Sequence, residues 1–292
     1  MDSLIFEESL KCFVIFVENP STSRLVLLQV HWKGGMMKET TAISGSHGFL
    51  GEALTKKLEQ SGQEVLRLDR SGIISADIGL VFDLAAYGNM ADQTDVREIY
   101  RANLMRVINM VEEGCFERLI YISTSSVSLP NQTPYSLSKK AAEEYLQWSR
   151  EKVAIARPLT PVGVGEQKEH LIPKLIQSCL YGIEIPFVAD PVHDFIDIDD
   201  FVDALLTIKD KGLFEGEIYE IGSGKQVSND EVRLLVEETT GKRANVRPVE
   251  SMRSYDTKEW RANNERICSL GWEPRISLKT TIQRMIDNER TT

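Results

Sequence analysis

An α/β fold built on a doubly wound parallel sheet, with a smaller C-terminal lobe, is predicted by three features of the sequence. Residues 40–70 read as strand, glycine turn, helix and strand. Later apolar runs at Ile78–Ala86, Leu119–Ser123 and Val153–Arg157 are nearly unbroken, as strands buried on both faces are. Helical patterns alternate with those runs, which is the layering of an α/β sheet.

The first stretch organises the rest. A short apolar run ends at Ile43, glycines stand at Gly45, Gly48 and Gly51, and Leu50, Leu54 and Leu58 then share one helical face. Gly62 stops that helix, and Val65, Leu66 and Leu68 read as a second strand ending at Asp69. A unit of this length and order suits a dinucleotide. One glycine permits the tight turn, one lets backbone N–H groups approach a pyrophosphate, and one lets helix and strand pack closely. The helix N-terminus offers unpaired N–H groups and a positive dipole end to the phosphates. Asp69 falls near the ~20-residue spacing at which a carboxylate binds a ribose diol.

Bulk composition narrows the function classes. Of 292 residues, 42% are apolar and 27% charged, enough for a real core under an ordinary surface. The 34 basic and 44 acidic residues leave a net charge of −10, which argues against nucleic-acid or anionic-membrane partners. Cys12, Cys115, Cys179 and Cys268 are widely spaced, without a C-x-x-C pair, and read as free thiols of a cytoplasmic protein. Residues 1–37 carry two short apolar runs, Cys12–Val17 and Leu25–Val30, around Asn19-Pro20-Ser21; the expectation is an extension ahead of the working domain. A nucleotide domain over 38–158 and a mainly substrate-binding lobe over 159–292 are expected to follow.

Along the chain, Asp95–Glu113 carries Ile99, Val107 and Val111 at helical spacing, with Asn103 in the same pattern. The strand Leu119–Ser123 runs into Thr124-Ser125-Ser126, and a helix then opens at Tyr135 and continues to Arg150. Tyr135 and Lys139, at i and i+4, share a face of that helix, the arrangement a Tyr–Lys catalytic pair needs. Further helices are expected at His170–Tyr181, Phe201–Ile208 and Leu278–Ile286. Asp197, Asp199 and Asp200 are read as helix-capping residues, with Asp199 or Asp200 as the cap, and no metal is expected.

The G-x-x-G-x-x-G spacing resembles the short-chain dehydrogenase/reductases, and its Gly48-Phe49-Leu50-Gly51 ending resembles their extended branch. Together with Leu84-Ala85-Ala86, Thr124, Tyr135-x-x-x-Lys139, Arg157-Pro158, His193-Asp194-Phe195 and Leu270-Gly271-Trp272, it resembles the nucleotide-sugar epimerase/dehydratase group. The resemblance covers roughly residues 38–287 and implies a Rossmann-type fold, NAD rather than NADP, a nucleotide-sugar substrate and a homodimer. It implies Thr124, Tyr135 and Lys139 as the catalytic set. Cofactor contacts are implied at Gly45, His47, Gly48, Phe49, Leu50, Asp69, Arg70, Asp77, Leu84, Ala85, Ala86, Tyr135, Lys139 and Pro158. Thr124, Ser125, Thr160 and His193 are the substrate candidates.

The departures from the pattern bear on the reaction. His193 stands where relatives carry an arginine that commonly grips the substrate diphosphate. Ser125 and Ser126 stand where the 4,6-dehydratases carry Asp-Glu; neutral hydroxyls do not supply the acid and base of an elimination. The expectation is therefore an NAD-dependent nucleotide-sugar 4-epimerase. The alternatives are a 4-keto-sugar nucleotide reductase, which needs the same residues, and a non-catalytic NAD-binding scaffold.

Overall fold

The glycine turn that follows the first strand of the parallel sheet lies at the centre of the observed topology. The structure, a computed structural model, describes residues 15–18, 25–28, 40–68, 78–90, 92–149, 151–250 and 259–291. The chain divides into two compact units, 1–38 and 39–292. In the first, β1 (Ile15–Glu18) and β2 (Leu25–Leu28) pair antiparallel, Ile15 opposite Leu28.

The second unit begins with β3 (Thr41–Ser44), α1 (Phe49–Gln60) and β4 (Val65–Arg67). Leu54 and Leu58 are buried and Gly62 takes the left-handed conformation that ends the helix. β4 is the outermost described strand on its side of the sheet, and Leu66 in it is exposed; the expected strand end at Asp69 lies outside the described residues. The expected Asp69, Arg70 and Asp77 contacts lie outside the described residues.

β5 (Ile78–Asp83) crosses to the other side of β3. The single helix expected over Asp95–Glu113 is instead α2 (Val96–Tyr100), a π-helical turn (Arg101–Met105) and α3 (Arg106–Glu113), capped by the Asp95 carboxylate. A π turn is seldom legible in a hydrophobic pattern and is frequent at functional sites. β6 (Phe116–Ile122), α4 (Pro134–Ser149) and β7 (Val153–Pro158) follow. Next come β8 (Thr160–Val162), α5 (Leu171–Tyr181), β9 (Ile185–Phe187) and β10 (Val192–Asp197). α6 (Ile198–Lys211) then leads to β11 (Glu217–Ile221).

The six strands run parallel in the order β11-β7-β6-β5-β3-β4, a Rossmann-like doubly wound sheet whose order reverses between β3 and β5. Alternation along β5 fills both faces. Leu80 and Phe82 pack with Leu54, Leu58, Phe201 and Leu205, while Val81 packs with Val107, Met110 and Leu146.

The remaining elements are β12 (Gln226–Ser228), α7 (Asn229–Thr240), β13 (Val246–Pro248), α8 (Glu265–Ser269) and α9 (Leu278–Thr291). Ile172, Leu175, Val232, Val236, Ile282 and Ile286 give the lobe its own core. β10 joins the two parts, pairing with β8 on one side and β12 on the other.

One capping expectation is corrected. α6 starts at Ile198, not Phe201, and its cap is Asp197, which accepts from the Asp199 N–H at 2.8 Å. Asp200 instead faces inward and accepts from the backbone N–H groups of Arg275 and Ile276. β10 runs extended up to Asp197, so the turn into the helix comes earlier than the acidic run suggested. Among the described residues, no helix is long and apolar enough to cross a membrane, and no acidic or thiol cluster is arranged to hold a metal.

Candidate active site

A crevice at the carboxyl ends of parallel strands forms where the strand order reverses. Here β3 runs into the glycine turn and β5 runs into Leu84-Ala85-Ala86. Gly45 has φ +70°, and a Cβ on it would lie 2.7 Å from the Ala85 nitrogen, so the turn presses directly on that segment. A Cβ on Gly51 would lie 2.1 Å from the Gly45 carbonyl oxygen; only glycine lets α1 start this close to the turn.

Gly48 differs. Among the described residues, a Cβ there would meet no atom nearer than the Gly45 oxygen at 3.4 Å, so the fold does not press on it as it does on the other two. Gly48 also caps α1 without a side chain to occupy the first helical N–H groups. The Ser46 hydroxyl, two residues earlier, is buried with no hydrogen-bond partner among the described residues. Together these features fit a dinucleotide pyrophosphate at the helix N-terminus. Phe49 and Leu50 are half-buried at the start of α1, and His47 is exposed.

Below the crevice sits a buried polar brace. Asp83, at the end of β5, is fully buried; Nη2 of Arg106 lies 2.8 Å from each of its oxygens. The Ser44 hydroxyl also donates to Asp83 and accepts from the Ala85 N–H. Arg106 reaches the Ala85 carbonyl as well, at 3.3 Å. Burial alone would push the Asp83 carboxyl up, but the Arg106 charge and hydrogen bonds outweigh it and hold it below its ordinary value. Asn103, in the π turn, accepts from the Tyr87 N–H and donates to the Tyr87 carbonyl and the Ser138 hydroxyl. It ties the segment after β5 to α4.

α4 carries the candidate catalytic pair. Tyr135 lies in its first turn and Lys139 one turn later, buried. The Lys139 ammonium has no hydrogen-bond partner among the described residues and sits 4.2 Å from the centroid of the Tyr121 ring. Burial, its largest perturbation, pushes Lys139 down to about 7, against the opposing charge of Asp83. Burial pushes Tyr135 up to about 12. Sequence reasoning gives Lys139 the task of favouring the phenolate, whereas in the folded protein burial drives both groups toward their neutral forms.

Thr124, at the end of β6, caps a short 3₁₀ turn (Ser125–Ser128) and hydrogen-bonds the Ser126 N–H at 3.2 Å and hydroxyl at 3.0 Å. Arg157 is engaged elsewhere, in a two-bonded pair with Glu143 at 2.9 and 2.5 Å, and the adjoining Pro158 is buried at the end of β7.

The substrate candidates from distant parts of the chain come together. Trp260 donates its indole N–H to the buried Ser125 hydroxyl at 3.1 Å, and its ring lies 5.3 Å from that of His193. His193 in turn lies 5.5 Å from Phe195, which pairs across the sheet with Thr160. Beneath them Asp194 is fully buried, accepting from the Ser223 N–H and hydroxyl and from the Gly224 and Ala262 N–H groups.

Sequence reasoning missed Asp83, Arg106 and Trp260. A charged residue closing the apolar run IGLVFD was a readable signal for the first, since a buried carboxylate requires a partner. Trp260 carried no local motif.

The model of the NAD dependent epimerase/dehydratase family matches residues 41–222. The chain belongs to that family. Mouse dTDP-D-glucose 4,6-dehydratase is 30% identical over 211 residues, which are 62% of this chain and 58% of that protein. The chain thus spans under two thirds of the length of this relative. CDP-abequose synthase of Salmonella typhimurium is 23% identical over 86% of this chain and 98% of its own length. Among solved structures, MoeE5 in complex with UDP-glucuronic acid and NAD is 26% identical, with a TM-score of 0.76 over 87% of this chain and all of that one. This family is NAD-dependent, and its chemistry is that of epimerases and dehydratases.

Two outcomes are expected of this arrangement. Asp83→Asn strands the buried Arg106 charge and should cost about 3–5 kcal/mol, whereas the double variant Asp83→Leu/Arg106→Leu should recover most of it. Urea unfolding measures both. Lys139 has a folded pKa well below its unfolded value of about 10.4, so the unfolded state binds more protons between those values and stability rises with pH through that window. Lys139→Met should therefore raise Tm most at pH 7 and below, with the gain shrinking towards pH 10; a gain independent of pH would contradict the buried-amine account.

Proposed function

We propose that this protein is an NAD-dependent nucleotide-sugar epimerase of the 4-epimerase type. The observations that support the reading are the Tyr135–Lys139 pair on α4, following the Thr124 strand end, and a glycine turn whose backbone suits a dinucleotide. When bound, NAD supplies the acceptor and donor of hydride.

The chain's own residues supply the rest. Tyr135 accepts the proton of a sugar secondary hydroxyl as that carbon loses hydride, because one cannot leave without the other. Thr124 orients the hydroxyl, and Lys139, in its protonated form, opposes the burial penalty on the phenolate. The resulting keto sugar turns over before Tyr135 returns the proton and the opposite face is reduced. Ser125 and Ser126 provide no acid–base pair for loss of water, and Ser125 already accepts from Trp260. This favours epimerisation over dehydration, although a relative that this chain resembles is named a dehydratase.

Asp69, the acid that follows the second strand in the sequence, favours the free ribose diol of NAD over the 2′-phosphate of NADP. The segment Val96–Glu113 and α4 present Val96, Met105, Leu137 and Trp148 to solvent, an apolar set that a homodimer about a two-fold axis would cover.

Tyr135→Phe should lower turnover of the cognate nucleotide sugar by roughly 10²–10⁴-fold while leaving NAD affinity within about twofold. Retention of a tenth of the wild-type rate would remove Tyr135 as the base. Light scattering at micromolar concentration should give the dimer mass; a monomer would leave the apolar set unexplained.

A further inference from the structure

Trp260 has no counterpart among the residues singled out from sequence, yet it is the side chain that links them. Its indole spans from the C-terminal lobe to the strand end that carries Thr124. The indole N–H is committed to the Ser125 hydroxyl at 3.1 Å, and the ring lies beside His193 at 5.3 Å. Ser125 is buried, so this hydrogen bond fixes the edge of the indole in place. What the residue can offer a ligand is therefore the π face, not the N–H.

Position says which part of the ligand would meet that face. Ser125 follows Thr124, and Thr124 is the residue proposed to orient the reacting hydroxyl. A ring bonded to Ser125 is therefore close to the reacting sugar carbon, not to the far nucleotide. Phe195, whose ring lies 5.5 Å from that of His193, pairs across the sheet with Thr160 and so extends the aromatic cluster towards it.

Chemistry says which sugar. The face of an aromatic ring is the negative part of its quadrupole and favours C–H edges over anionic groups. Among the described residues, no lysine or arginine stands over the ring of Trp260. A carboxylate at C6 would meet an electron-rich face that none of those residues supplies with a permanent cation.

We propose that Trp260 is a specificity-determining wall of the sugar subsite, held edge-on by Ser125 so that its face stacks on a neutral hexose and disfavours a uronic acid. This inference rests on the nucleotide-sugar reading above and names the sugar class within it.

The test is a binding titration of the full chain in the presence of NAD, by calorimetry, with no turnover required. The probes are UDP, dTDP, CDP and GDP, the corresponding nucleotide-linked neutral hexoses, and UDP-glucuronic acid. Wild type should bind its preferred neutral nucleotide hexose at least tenfold more tightly than the parent nucleotide. If UDP is the preferred nucleotide, UDP-glucuronic acid should bind less tightly than UDP-glucose. Trp260→Ala should lose most of the hexose increment, while its affinity for the parent nucleotide stays within about twofold. Trp260→Phe, which keeps a π face and is the safer variant for folding, should retain more of the increment than Trp260→Ala or Trp260→Leu.

Equal losses for nucleotide and nucleotide hexose would overturn the sugar-wall assignment, as would a wild-type preference for the uronic acid. If wild type binds none of the nucleotides or nucleotide sugars, the functional reading itself fails, and the variants are not needed to show it.

Discussion

The buried pair between Asp83 and Arg106 is the constraint on which the rest of the site depends. A carboxylate with no exposed surface at the end of a central strand is tolerated only when its charge is met at close range. Meeting it takes the guanidinium from the first turn of α3 and the hydroxyl of Ser44 from the end of β3. Those contacts hold β3, β5 and α3 at one point. Ala85, bonded to both Ser44 and Arg106, is then fixed against Gly45. The width of the crevice at the switch in strand order is set by these contacts and by the glycine that fits beneath them.

The same brace sets the field behind α4. Lys139 is buried without a hydrogen-bond partner among the described residues, over the face of Tyr121. Asp83 favours its charged form and Arg106 opposes it. Glu143, the other carboxylate acting on it, is held by Arg157. A lysine titrating near neutrality is poised in a way that an exposed lysine is not, and tyrosine–lysine chemistry depends on that poise.

Much of the fold was legible because its signals are local. Gly45, Gly48 and Gly51 mark a turn whose backbone needs are visible in three residues, and the strands read as unbroken apolar runs because both faces are covered. Tyr135 and Lys139 drew notice because their spacing follows a nucleotide unit and a hydroxyl-rich strand end, and α4 carries both. What escaped was set by tertiary contact. The π turn around Asn103 widens a helix whose hydrophobic period looks continuous. The cap of α6 shifted to Asp197 because β10 stays extended to that point, releasing Asp200 to bind the backbone at Arg275 and Ile276. Trp260 was invisible because its partner Ser125 lies far earlier in the sequence, and nothing around residue 260 announces a ligand site.

The central claim is that a sugar carbon loses hydride and regains it within one active site, with no loss of water. The direct measurement uses the cognate nucleotide hexose deuterated at C4, incubated with the enzyme and NAD in ordinary water and followed by NMR and mass spectrometry. The account predicts two C4 epimers, both with deuterium at C4, no label in the bulk nicotinamide pool and no change in mass. A product lighter by one water, or deuterium lost from C4, would contradict it.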